Sequence, residues 1–218
     1  MSTKTTTLLV ILLIGLATGL GLILWPRLPA QMASHWNIQN QVDGYLPRFW
    51  GVLMLPIMTI GLYLLFLLIP LIDPLKDNIA KFRAAFNTFI FLLMVFLVYI
   101  YLLTLAFNLG YRFRMSLAML PALGGFFFYV GIMLGKVKRN WFIGIRTPWT
   151  LSSDTVWEET HRLGGILFKI SGILAISGTF FGAYAIWFVM LPLLGSSIFL
   201  VIYSYRLYQR ENRRLRPD

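Results

Sequence analysis

The sequence predicts an all-α integral membrane protein of six transmembrane helices. Three observations predict it. Of the 218 residues, 58% are hydrophobic and only 12% are charged, about half the charged share of a soluble domain. Apolar runs near the ~20 residues that cross a hydrocarbon core recur along the whole chain. These runs are apolar on every side, whereas a soluble helix or strand alternates.

The spans are expected at about 7–25, 50–72, 84–109, 116–135, 164–188 and 192–208. The first follows a short basic start, as a signal peptide would. The run Leu8 to Trp25 is long for such a leader, and no small-residue cleavage site follows, so it is expected to remain as a span. The second contains Pro56 and ends near Pro70; proline is tolerated in membrane helices and bends them. The fifth and sixth are expected to form a hairpin through "VMLPLLG". Gly15/Gly19, Gly131/Gly135 and Gly178/Gly182 repeat the G-x-x-x-G spacing that lets two helix backbones approach. Asn87, Thr104 and Asn108 are candidates for hydrogen bonds between helices. Lys169 lies within the fifth span and is placed to snorkel. No acidic residue falls inside a span, which argues against a proton-coupled transporter.

Basic residues set the orientation. Fourteen fall at the N-terminus, in 73–83, in 136–163 and in the tail through Arg216; the other side receives only Arg27, Arg48, Arg112 and Arg114. Lysine and arginine accumulate in cytoplasmic loops, so both termini are expected in the cytoplasm of a multi-pass plasma-membrane protein. The same rule, with anionic lipid as the partner, accounts for the net charge of +11 without nucleic acid. There is no cysteine, which excludes disulfides and thiolate chemistry.

Two polar segments carry content. The outer loop 26–49 has an Asp-Gly turn signal in "VDGY" and a group of contact candidates, His35, Trp36, Asp43 and Tyr45. It is either a surface-lying connector or a recognition surface. The inner stretch "RNWFIGIRTPWTLSSDTVWEETHRLGG" at 139–165 holds three of the seven tryptophans and three of the eight acidic residues. Gly144 permits a turn, and Pro148 keeps Thr147 extended. "SSDTVWEETHR" reads as a short amphipathic helix on the membrane surface, with Ser152, Ser153 and Asp154 as N-cap candidates and Thr155 to Glu158 fitting a capping box. Glu158 and Arg162 are spaced as an ion pair, Asp154, Trp157 and His161 share a face, and the Trp157 and His161 rings can touch. Gly164-Gly165 is expected to turn the chain into the fifth span. No catalytic, cofactor or metal constellation is read here: the two histidines fall on opposite membrane sides, and H-E-x-x-H and phosphate loops are absent.

The inner stretch resembles the signature of the SdpI family of bacterial multi-pass membrane proteins. The resemblance rests on Asn140, Gly144, Ile145, Arg146, Thr147, Pro148, Trp149, Ser153, Trp157, Thr160, His161, Arg162 and Gly164. The outer loop is similar to the uncharacterised domain that commonly precedes it, through "LP…HW…DG". It departs at Gln39 to Gln41, where that pattern carries a glycine. The division expected from this is an N-terminal membrane region, 1–115, and an SdpI-like region, 116–218. The resemblance implies a non-enzymatic immunity protein that resists a secreted peptide toxin and signals by holding a repressor protein at the membrane. The residues expected to form the binding motif are Asn140, Gly144, Arg146, Pro148, Trp149, Trp157, His161 and Arg162 from the resemblance, with Asp154 added from its place on the Trp157–His161 face. The alternative is a membrane protein that handles lipid or a small molecule; it predicts a polar-lined cavity reaching the inner motif.

Orientation has a direct check. A reporter fused after Ser153 should read as cytoplasmic; an external location there overturns the assignment.

Overall fold

The apolar runs fold into the expected helices. A computed structural model describes residues 1–215; Arg216, counted above, lies outside them. In chain order the elements are α1 (Thr3–Leu24), β1 (Gln31–Trp36), β2 (Val42–Pro47), α2 (Arg48–Ile72), α3 (Lys76–Lys81), α4 (Arg83–Asn108), α5 (Met115–Leu134), α6 (Pro148–Ser152), α7 (Asp154–Ser177) and α8 (Trp187–Leu215). Six of them, α1, α2, α4, α5, α7 and α8, are long and apolar enough to cross a membrane. The protein is a multi-pass membrane protein.

The chain runs up and down, so its connections gather at two ends. One end holds the N-terminus, α3, the 135–153 segment and the C-terminal turns of α8. The other holds the β-hairpin, the 109–114 turn and the α7–α8 connection. Within the bundle α4 packs on α1 and α2 on one side and on α5 on the other, and α7 packs on α5 and α8.

The tightest contact joins α5 and α7. A Cβ on Gly124 would lie 2.5 Å from the Gly172 carbonyl oxygen, and one on Gly172 an equal 2.5 Å from that of Gly124. One turn-pair away, a Cβ on Gly131 would meet the Gly165 oxygen at 2.6 Å, and one on Gly165 the Gly131 oxygen at 2.8 Å. The two antiparallel helices therefore touch backbone to backbone at two points seven residues apart, which only glycine permits. Of the three G-x-x-x-G pairs, only Gly131/Gly135 serves this contact: a Cβ on Gly165 would also lie 3.4 Å from Gly135 N. Gly15 and Gly19 have nothing near them, and Gly178 packs on Phe188.

Several local expectations change. Gly164-Gly165 does not turn the chain: α7 runs unbroken from Asp154, because those glycines are its contact with α5 and with Ile145. The surface helix and the fifth span are one element. The α7–α8 break is not at Pro192, which sits inside α8, but at Gly182, with φ 55° and ψ −114°. Proline early in a helix loses little, whereas a left-handed residue ends one.

The outer loop is a β-hairpin rather than an irregular connector, an addition to a helical protein. Asp43-Gly44 is not its turn; it lies within β2, opposite His35, where the register is irregular. The turn is Asn37–Gln41, with Asn37 Oδ1 accepting from the Gln39 and Gln41 amides and Asn40 at φ 61°. Asparagine tolerates the left-handed region, so Asn40 takes the place of the glycine expected at 39–41. Asn108 holds the hairpin to α4: its Oδ1 accepts from Ala33 N–H at 2.7 Å and its Nδ2 donates to Ala33 O at 3.0 Å. It thus bonds helix to strand. Asn87 does join helices, donating to Met1 O and Thr3 Oγ1, while Thr104 bonds only its own helix at Ile100.

The glycine contact predicts a contrast between two substitutions. Gly172→Leu should prevent α5–α7 packing and remove folded protein from the membrane. Gly15→Leu should leave expression and detergent-resistant folding unchanged. Equal behaviour of the two variants contradicts the contact.

Candidate functional site

The inner motif is built from α7 outward. Ser153, one of the expected cap candidates, caps the helix, its Oγ accepting from Val156 N–H, and the Thr155–Glu158 capping box is not used because Thr155 already lies inside α7. Trp157 and His161 follow four residues apart on the face turned to the 136–145 segment, and their rings stack at 4.0 Å. Both are buried. The expected ring contact is present. Trp157 Nε1–H donates to Val137 O at 2.9 Å, and its ring joins the core made by α1, α2, α3 and α4.

His161 has both ring nitrogens committed to backbone. Ile145 N–H donates to Nε2 at 2.9 Å, and Nδ1 lies 2.8 Å from Trp157 O. Nε2 must accept, so Nδ1 carries the proton and the ring is the neutral Nδ1–H tautomer. Gly144, at φ 113°, makes room: a Cβ there would sit 2.4 Å from Nε2. The glycine is required twice, by its backbone angle and by the imidazole beside it.

Asn140 is the hub of the loop. It is fully buried and makes four hydrogen bonds. Oδ1 accepts from the Phe142 and Ile143 amides at 2.9 and 2.6 Å, and Nδ2 donates to Lys138 O and Ile143 O at 2.8 and 2.9 Å. An amide side chain can do no more. Thr147 and Thr150 form the capping box of α6, with Pro148 in its first turn. Thr150 Oγ1 also donates to Ile145 O, and Thr147 meets Ser204 of α8. Trp149 packs its ring 5.0 Å from that of Tyr205.

The charged residues sit outside this frame. Arg139 pairs with Asp154 at 2.9 Å and donates to Leu151 O. The Glu158–Arg162 pair does not form; Glu158 binds Lys138 at 2.7 Å, and Arg162 turns to Glu159 at 2.6 Å. Arg162 has two adjacent carboxylates about one turn before it, and with Lys138 on Glu158 it takes Glu159. Arg146 is exposed and donates to Trp141 O. A cleft of about 390 Å³ beside these groups is lined by Asn78, Lys81, Lys138, Arg139, Asp154 and Glu158 among others, and holds both signs of charge.

Residues outside the sequence motif complete the site. Asp73 accepts from Leu75 N–H and from Trp141 N–H, and Asn78 donates to Arg139 O at 2.9 Å. Asp73 is buried, and its carboxylate docks the α2–α3 turn onto the motif.

At the hairpin end, His35, Asp43 and Tyr45 are exposed together, with His35 Nδ1 2.5 Å from Asp43 Oδ1. Trp36 turns the other way, edge-on to Phe107 at 5.1 Å. The structure therefore separates the four outer candidates into an exposed trio and one inward ring. Ser152 donates to Trp149 O, Ser153 caps α7, and both ring nitrogens of His161 bond to backbone. Among the described residues no group of histidine, aspartate and glutamate has metal-binding geometry.

The frame predicts a graded response. Asn140→Ala strands buried N–H and C=O groups at about 1–3 kcal/mol each. It should open 139–153 to limited proteolysis. Arg146→Ala, at the surface, should leave the cleavage pattern unchanged. A resistant Asn140→Ala loop contradicts the hub.

Comparison with known proteins agrees with this architecture. Residues 136–204 match the SdpI/YfhL protein family. Residues 12–60 match a domain of unknown function, DUF1648. The chain is 26% identical over 192 residues to "Immunity protein SdpI" of Bacillus subtilis (strain 168), covering 88% of this chain and 90% of that protein. No solved structure matches. The match at 136–204 begins at the loop held by Asn140 and His161 and ends on the α8 turn that meets Thr147, so the motif half of this chain is similar to the SdpI/YfhL family.

Proposed function

We propose that this protein is a membrane immunity protein that protects its cell from a secreted, membrane-active peptide. The single observation that carries this is the similarity to an immunity protein over nearly the full length of both chains. In this reading the hairpin end faces outward and meets the peptide through His35, Asp43 and Tyr45. The motif end faces the cytoplasm, as the basic residues there favour. The 1–115 region supplies recognition and the 116–218 region the response.

The built motif supports a non-enzymatic role. Its buried polar side chains Asn140, Trp157 and His161 are consumed in holding one loop shape, which is what a docking platform needs and a catalyst does not. The exposed groups on that platform are Trp141, Phe142 and Arg146. They offer aromatic and cationic contacts to a cytoplasmic partner such as a repressor protein, and headgroup-level contacts to lipid. A role in handling lipid or a small molecule is the second reading. It is favoured by a cavity of about 410 Å³, but that cavity opens at the hairpin end, away from the motif.

Expression in a toxin-sensitive host tests the proposal. Cells with the protein in their membranes should survive the peptide. Arg146→Ala should keep the protein at full level and lose repressor-dependent signalling, because it touches the platform surface and not its frame. Unchanged killing with the protein present rejects the immunity function.

A further inference from the structure

The 410 Å³ cavity lies at the hairpin end of the bundle, between the 1–115 and 116–218 regions. Its walls come from β1 and its turn, α2, α4, α5 and the 182–189 stretch. That volume is typical of a ligand site, roughly 300–1,000 Å³, mostly apolar with a few placed polar groups. Met54, Met115, Met119, Leu120, Leu123 and Val189 supply much of the apolar wall. Three methionines in one wall favour a flexible occupant, since the unbranched thioether adapts to shape.

The cavity is open, and it lies where α4 ends at Asn108, α5 begins at Met115 and α2 begins at Arg48. Those positions mark the level at which hydrocarbon meets headgroups. An apolar void there either stays empty and forfeits dispersion contacts along its walls, or takes in a chain from the surrounding hydrocarbon.

Polar groups gather on the hairpin side, and most are already used. Asn40 Oδ1 accepts from Ser116 N–H and lies against its hydroxyl, and His35 is paired with Asp43. Two are different: the Tyr101 hydroxyl of α4 and the Trp36 Nε1–H of the hairpin are buried without a partner among the described residues. An unmet buried donor costs about 1–3 kcal/mol, so the indole N–H on the hairpin side is set to receive an oxygen. Gly182 also lines the cavity, and the Arg114 guanidinium stands over it, 3.9 Å from where a Cβ would be. The sequence places four arginines at this end against one acid, Asp43, which His35 holds.

We propose that the cavity holds one alkyl chain of an anionic amphiphile, its head oxygens at Trp36 Nε1–H and Arg114. The chain lies among Met54, Met115, Met119 and Leu123. The head sits beneath the hairpin and bridges the two halves of the bundle. This site is independent of the immunity function.

Photolabelling of the full chain in its membranes tests it. One arm uses palmitic acid with a diazirine near the chain end; the other uses phosphatidylglycerol carrying the same chain. The arm that labels Met115 and Met119 saturably, with competition by its unlabelled parent, identifies whether the head is a free carboxylate or a phosphate. Exposed Leu16 and Phe180 report the non-saturable background of bulk lipid. Trp36→Phe keeps a ring beside Phe107 but loses the N–H; it and Arg114→Gln should each raise the competing concentration roughly tenfold, the scale of one charge-assisted hydrogen bond. Met119→Trp, or the milder Leu123→Phe, should fill the cavity and remove its labelling while Leu16 labels as before. Cavity labelling no greater or more saturable than that of Leu16 in both arms overturns the proposal. So does labelling that survives both filled variants, or that ignores both head variants.

Discussion

The α5–α7 contact is the constraint on which the rest depends. Two glycine pairs bring the backbones together without side chains between them. In a bilayer, lipid tails are as apolar as leucine, so helices do not associate to escape water; they associate by fit. This fit fixes the depth and rotation of α7 against α5. It also explains why α7 extends beyond the span. Gly165 is a contact residue, and Gly164 beside it admits Ile145, so the helix must be regular at the point where the sequence suggests a turn.

Everything in the motif follows from that placement. With α5 ending at Leu134 and α7 starting at Asp154, the segment between them must fold back on α7 within a short length. Trp157 and His161 face it at fixed height. The loop answers with backbone groups: Val137 O to the indole and Ile145 N–H to the imidazole. Asn140 then closes the remaining backbone groups on themselves. The loop contributes Val137 and Ile143 to the main core, so the N-terminal helices and the motif are packed as one body. The hairpin is tied to the same body through α4, where Asn108 bonds Ala33.

Much of this was legible in the sequence, and the remainder has physical reasons for being hidden. The six spans were readable because hydrocarbon forbids polar runs. Trp157 and His161 were readable as a stacked pair from their i, i+4 spacing alone. The Asn140 hub was visible as a residue type at a place in a motif, but not as four bonds, since those depend on how 138–143 curls. The hairpin was missed because its strands are held by Asn108 of α4, a contact 75 residues away. Asp-Gly suggested a turn, yet a register irregularity opposite His35 absorbed it and Asn40 made the turn. Gly182 rather than Pro192 breaks the last pair of helices, because proline near a helix start loses one bond while a left-handed glycine stops the ladder. The partners of Glu158 and Arg162 changed because Lys138 arrives from another segment.

The central claim is that 139–153 is a fixed fold clamped to α7, and not a mobile connector. Hydrogen–deuterium exchange on the protein in lipid nanodiscs tests it most directly. The amides of Phe142, Ile143, Ile145 and Thr150 are all bonded within the site. They should exchange with protection approaching that of the α7 backbone, because opening them requires opening the core around Trp157. Exchange of those four amides at the rate of an unstructured chain, with α7 still protected, would contradict the account.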